Sequence, residues 1–150
     1  MKKRININTA EPLALKAMMA LETYLSQISI SLTVKDLIKI RASQINGCAY
    51  CIDMHAKAAL KNGETDQRIF LLNAWRETNN IFSDEEKAVL AIAEEVTLIH
   101  KSGLSDETYE KAIGLFSENQ VAQIVMAVVT INAWNRIALS SHLQPGESFA

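Results

Sequence analysis

Helix-start signals recur along this chain of 150 residues and limit what it can fold into. Ser83 is followed three residues later by Glu86, and Ser117 is followed by Gln120 in the same way. In such a capping box the serine hydroxyl accepts from a backbone N–H of the first turn, and the Glu or Gln side chain bonds back to the serine N–H. The second box precedes the longest apolar stretch, residues 121–139, which has apolar groups on several helical faces. We therefore predict two long helices, of which the second is central or buried at a subunit interface.

Apolar periodicity predicts further helices along the rest of the chain. They cover residues 12–25, 33–46, 48–61, 65–75 and 105–113, and the helix that opens at Ser83 should run to Gly103. Apolar residues make up 49% of the chain against 21% charged, which is enough to close a core, while Gly, Pro and aromatic residues are scarce. We expect one all-α domain over residues 1–150.

The charge pattern limits the classes of partner. A formal net charge of −2, with no Lys/Arg cluster beyond residues 2–4, gives no positive surface for nucleic acid. Polar residues follow that basic start where a secretory signal needs a continuous apolar stretch. No apolar run approaches the roughly 20 residues of a membrane span. We expect a cytoplasmic protein that binds neither nucleic acid nor membrane.

Both cysteines of the chain lie in one short run, Cys48 and Cys51, with His55 one helical turn further on. At helical spacing these three side chains share one face, and the two thiols are close enough to bridge. In a reducing compartment such a pair is more often redox-active or metal-binding than a permanent cross-link, which would constrain little chain entropy across so short a loop. The run indicates thiol chemistry.

Either cysteine could be the nucleophile, because the position of each one in the helix favours its thiolate form. Cys48 would lie at the first turn of its helix, where free N–H groups and the dipole favour a thiolate. Cys51 lies four residues before His55, whose imidazole can take its proton or pair with the thiolate. The histidine favours Cys51 as the attacking sulfur and Cys48 as the resolving one, although spacing alone leaves both open.

A histidine that acts as a base usually has an orienting group on its other nitrogen. Asp36, on the preceding helix, is the candidate. It also reads as the N3 residue of a helix capped by Thr33, where an acidic group needs no further role. Asp53 is nearer in sequence but points away from the stripe.

Metal binding and simple packing are the alternatives to thiol redox chemistry. The cysteine pair and His55 would supply three zinc ligands where a structural site normally has four. Haem attachment requires a histidine directly after the second cysteine, where Ile52 stands. Two buried apolar cysteines beside a satisfied histidine form the structural alternative. We expect no metal and no cofactor.

The stretch from Asp36 to His55, with residues 82–88 and 131–136, closely resembles the AhpD-like alkylhydroperoxidase group of the carboxymuconolactone decarboxylase family. The resemblance implies an all-α fold that assembles into homo-oligomers, commonly trimers or hexamers, with the C-x-x-C at a helix start. It also implies reduction of organic hydroperoxides. The second cysteine attacks the peroxide, becomes a sulfenic acid and condenses with the first to a disulfide, which a lipoyl- or thioredoxin-like dithiol partner reopens.

Carried over by residue, the resemblance makes Cys51 peroxidatic, Cys48 resolving, His55 part of a proton relay and Asp36 the relay carboxylate. The family usually has a glutamate at that last position, and the shorter Asp36 would reach His55 through a water. Some members also carry a histidine between the cysteines, where Tyr50 stands. Two other functions stay open. One is a redox adaptor that passes electrons from a dithiol or lipoyl partner to another peroxidase. The other is the family's decarboxylase activity, whose members lack the cysteine pair.

Overall fold

The computed structural model describes residue 2 and residues 4–147, and these residues form α-helices and one 3-10 helix without any β-strand. The all-α prediction is confirmed. In chain order the elements are α1 (Ile7–Ala10), α2 (Pro12–Gln27), α3 (Leu32–Asn46), α4 (Ala49–Lys61), α5 (Asp66–Leu71), the 3-10 helix Leu72–Glu77, α6 (Asp84–Thr97), α7 (Ile99–Ser102), α8 (Asp106–Ile113) and α9 (Glu118–Ser141).

Both predicted capping boxes are present. The Ser83 hydroxyl accepts from Glu86 N–H at 3.2 Å, and the Glu86 carboxylate accepts from Ser83 N–H at 2.8 Å. Ser117 and Gln120 make the same reciprocal pair at 3.3 and 3.1 Å. Each box satisfies N–H groups that would otherwise lack partners at the start of α6 and of α9.

The predicted cap of α3 is wrong by two residues. Ser31, and not Thr33, is the N-cap, and its hydroxyl accepts from Val34 N–H at 3.3 Å. Two hydroxyl residues stand within three positions here, and the local pattern does not decide which one leaves the helix. Asp36 is consequently the fifth residue of α3 and takes no part in capping.

Two predicted helices are interrupted. Leu98, with φ −94° and ψ 37°, separates α6 from the four residues of α7, so that Gly103 ends the short helix only. The predicted helix 65–75 continues past α5 as a 3-10 helix with a non-helical residue, Ala74. Trp75 is buried there, and its indole N–H donates to Glu94 at 2.9 Å. These tertiary contacts override the local helical pattern.

The last helix, α9, is the central element. It packs against α2, α3, α4, α6 and α8, and its residues Ile124, Val128 and Ile131 are at most 2% exposed. The expectation that no stretch approaches a membrane-spanning length is wrong for α9, whose 24 residues are long and apolar enough to cross a membrane. Half of its most apolar window is buried inside the fold, and core helices of soluble proteins have the same length and composition.

Candidate active site

A tight turn between α3 and α4 positions the cysteine pair. Gly47 adopts the left-handed conformation, with φ 69° and ψ 30°, and its N–H donates to the Gln44 carbonyl at 3.2 Å. The N–H of Cys48 donates to the Ser43 carbonyl at 3.0 Å. These two bonds form a Schellman motif, which ends α3 and turns the chain directly into α4.

Cys48 is the N-cap of α4, and its sulfur accepts from the N–H of Cys51 at 3.3 Å. The two cysteines form a disulfide with a Cα–Cα distance of 5.3 Å, so the predicted bridge at the start of a helix is confirmed. Both residues are buried, and they pack with Tyr50, Ala138 and Leu143. The structure thus shows the oxidised form of the pair.

A cavity of about 430 Å³ lies over Cys51. Its apolar wall comes from α2, α4 and α9, and consists of Leu15, Met19, Tyr50, Met54 and Trp134. Burial raises the pKa of the Tyr50 phenol, which therefore stays protonated. Met19 and Met54 are 51% and 43% exposed, so the mouth opens to solvent. Among the described residues, Cys51 lines this cavity and Cys48 does not.

Three polar side chains complete the wall: Asn8, Glu22 and His55. The carboxylate of Glu22 accepts from the indole N–H of Trp134 at 2.8 Å and lies 3.8 Å from the ammonium of Lys39. Glu22 could not be identified from the sequence. It is the only acidic residue of α2, but no local pattern connects that helix with the cysteines.

His55 lies one turn after Cys51 on α4, and both side chains line the cavity. Burial, and secondly the positive charge of Lys39, lower the pKa of His55 to about 4. At neutral pH the imidazole is therefore uncharged and able to accept a proton.

Asp36 is 4% exposed, and one carboxylate oxygen accepts from the Asn62 amide at 2.8 Å. Asn62 is the C-cap of α4, seven residues beyond His55, which is about 10 Å along a helix axis. Within residues 4–147 no hydrogen bond joins Asp36 to His55. The α3 charge that acts on His55 is Lys39, one turn after Asp36. The relay role of Asp36 stays a prediction.

An amide network ties the end of α3 to α9. Asn46, next to the turn, donates to Asn132 at 3.0 Å and to Asn135 at 2.8 Å. Asn135 is fully buried and donates to the Ser43 hydroxyl at 3.0 Å. Ser43 also supplies the carbonyl that accepts from Cys48 N–H. The central helix therefore holds the turn that sets the direction of the cysteine pair.

The side chains near the cysteine pair offer few ligands for a metal ion. No group of three or more His, Cys, Asp or Glu side chains within the described part of the chain is arranged to hold a metal ion. In this oxidised form the disulfide takes up both cysteine sulfurs, so neither is available as a thiolate ligand.

Comparison with known proteins identifies the family to which this chain is similar. Residues 12–95 match the model of the carboxymuconolactone decarboxylase family. The uncharacterized protein YdfG of Bacillus subtilis (strain 168) is 44% identical over 140 residues, which cover 93% of this chain and 95% of that protein.

Solved structures share the fold. A protein of unknown function from Agrobacterium tumefaciens, provisionally described as the antioxidant defence protein AhpD, is 39% identical with a TM-score of 0.92, over 98% of this chain and all of that one. The debrominase Bmp8 has a TM-score of 0.81 at 19% identity, over 94% of this chain and 75% of that one. At that identity the second likeness concerns the fold alone.

Proposed function

The chain belongs to the carboxymuconolactone decarboxylase family, in its AhpD-like group, and on this premise we propose that it is a thiol peroxidase for organic hydroperoxides. The observation that carries the proposal is the cavity. It gives a small molecule access to Cys51 beside an uncharged imidazole, while Cys48 lies behind it at the helix N-cap. The cysteines are already within bonding distance, as a disulfide cycle requires.

In the first step of the proposed cycle His55 accepts the proton of the Cys51 thiol. The resulting thiolate attacks the distal oxygen of R–O–OH, the O–O bond breaks, and Cys51 becomes a sulfenic acid. The leaving alkoxide takes the proton held by His55 and departs as an alcohol. The thiolate also raises the pKa of His55 while the charge pair exists, because opposite charges favour each other's ionised form.

In the second step Cys48 loses its thiol proton, and its thiolate attacks the Cys51 sulfur. The S–O bond breaks, the leaving hydroxide takes up that proton and departs as water, and the disulfide forms. The N–H of Cys51 and the N-terminus of α4 stabilise the anion on Cys48, which suits the resolving role. Two electrons and two protons from a dithiol partner then restore both thiols, so that each cycle converts one hydroperoxide to alcohol and water without metal or haem.

The reducing partner is proposed as a lipoyl- or thioredoxin-like dithiol. Both cysteines are almost fully buried, so the dithiol reaches the Cys51 sulfur through the cavity, which favours a slender arm. We further propose a cytoplasmic homo-oligomer, trimer or hexamer, built from a single AhpD-like domain. Asp36 is proposed as the relay carboxylate acting through water, since its direct bond is to Asn62.

A consumption assay tests the proposal. Reduced wild-type protein with dihydrolipoamide is expected to consume cumene hydroperoxide, and Cys51→Ser to lose this activity. Equal rates for wild type and Cys51→Ser would contradict the peroxidase function. Rapid exchange with the dithiol without consumption of peroxide would instead identify the protein as a redox adaptor that feeds another peroxidase.

A further inference from the structure

One wall of the cavity carries a charge that the peroxide cycle does not use. Among the described residues that line the cavity, Glu22 is the one that carries a carboxylate. The remaining wall is apolar apart from Asn8 and His55. A bound molecule therefore meets a mainly hydrophobic surface and, among the described residues, a single carboxylate.

The carboxylate is held in place. One oxygen accepts from Trp134 at 2.8 Å, and the other faces the Lys39 ammonium at 3.8 Å. Lys39 does not line this cavity but a neighbouring one of about 330 Å³, which it shares with Glu22. The ion pair therefore presents its negative end to the cavity over Cys51. The Glu22 side chain is 30% exposed, so its field is partly screened but not abolished.

We propose that Glu22 makes this cavity select uncharged, apolar hydroperoxides and disfavour those that carry a carboxylate. A carboxylate that enters would leave water for an apolar wall and would meet a like charge, with no Lys or Arg among the described residues that line the cavity. An uncharged alkyl or aryl group gains contact with the methionines and Trp134 at no such cost. The inference rests on the proposed peroxidase function and names the substrate class of the same site.

The first test compares two substrates that differ by one carboxylate group, cumene hydroperoxide and its para-carboxylate derivative. In wild type the ratio of kcat/KM values favours the uncharged substrate. Glu22→Gln keeps an acceptor for Trp134 and should lower that ratio by about three- to tenfold, the size expected for one like-charge interaction at a partly exposed site. Glu110→Gln removes the same charge on the exposed surface of α8 and should leave the ratio unchanged.

A second readout is independent of peroxide turnover. In reduced Cys48→Ser protein, Cys51 is alkylated by uncharged iodoacetamide or by anionic iodoacetate. Adding Glu22→Gln should raise the relative rate of iodoacetate, and adding Glu110→Gln should not. Ratios that Glu22→Gln leaves unchanged in both measurements would overturn the role of Glu22 and leave the peroxidase function standing. If wild type consumes neither hydroperoxide, the peroxidase function fails and the proposed substrate class with it.

Discussion

At the scale of residues, neighbouring groups give the two cysteines different environments. The sulfur of Cys48 accepts a hydrogen bond from an N–H of the first turn of α4, while Cys51 lines a cavity together with His55. Both cysteines are almost fully buried. Both influences could be predicted from the sequence, because they depend on spacing within one helix. The roles of Lys39 and Glu22 could not, because these residues reach the site from α3 and α2 through tertiary packing.

The depressed pKa of His55 links stability to pH. The folded protein holds the pKa near 4 and the unfolded chain near 6.5, so the unfolded state binds more protons between these values. The contribution of His55 to stability is therefore full above about pH 6.5 and is lost as the pH falls towards 4. Urea unfolding of the oxidised protein should show a free energy of unfolding that declines over this window.

The matched variant for this prediction is His55→Asn, in which the decline between pH 6.5 and 4 should be smaller. Lys39→Gln should raise the His55 pKa, measured by NMR titration, but only partly, because burial is the larger cause. A His55 titration near 6.5 in the oxidised wild type would contradict this description of the site.

At the scale of elements, the α3–α4 pair positions the chemistry. The capping boxes and most helix centres could be predicted, since each depends on residues within one or two turns. The α3 start was misplaced because Ser31 and Thr33 offer equivalent hydroxyls. The misplaced start also gave Asp36 an alternative capping role, whereas Asp36 is buried in the α3–α4 contact and has no capping role.

Asp36→Asn tests whether Asp36 acts in a proton relay with His55 or only links α3 to the end of α4 through its hydrogen bond with Asn62. If Asp36 supports His55 through water, the variant should shift the pH profile of Cys51 alkylation. The control is Asn62→Ala, which removes the partner of the carboxylate and should lower stability by about 1.5–3 kcal/mol with little change in that profile. A profile unchanged in Asp36→Asn would leave this residue a structural role only.

The turn itself gives a second prediction at this scale. Gly47→Ala places a Cβ in the left-handed conformation and should cost about 1–2 kcal/mol of unfolding free energy. Gly114→Ala is the control, because Gly114 is right-handed, with φ −71°, and a Cβ there would meet two carbonyl oxygens at 3.4 and 3.6 Å, which is ordinary contact. Equal losses in the two variants, measured by chemical unfolding, would contradict the strain argument.

At the scale of the whole molecule, the buried central helix α9 contributes to both the turn before Cys48 and the cavity over Cys51. The amide side chains of α9 hold the turn before Cys48, and Trp134 of the same helix forms part of the cavity. The run of apolar residues in α9 could be predicted, and so could the all-α class. The cavity could not, because its wall combines residues from α2, α4 and α9 that are distant in sequence.

The central claim is that Cys51 is the sulfur that attacks the peroxide. Its most direct measurement uses reduced Cys48→Ser and Cys51→Ser proteins, each given one equivalent of cumene hydroperoxide with dimedone present, and locates the sulfenic acid adduct by mass spectrometry. The account predicts a near-stoichiometric adduct on Cys51 in Cys48→Ser and no comparable adduct on Cys48 in Cys51→Ser. An adduct that forms on Cys48 as fast as on Cys51, or faster, would contradict it.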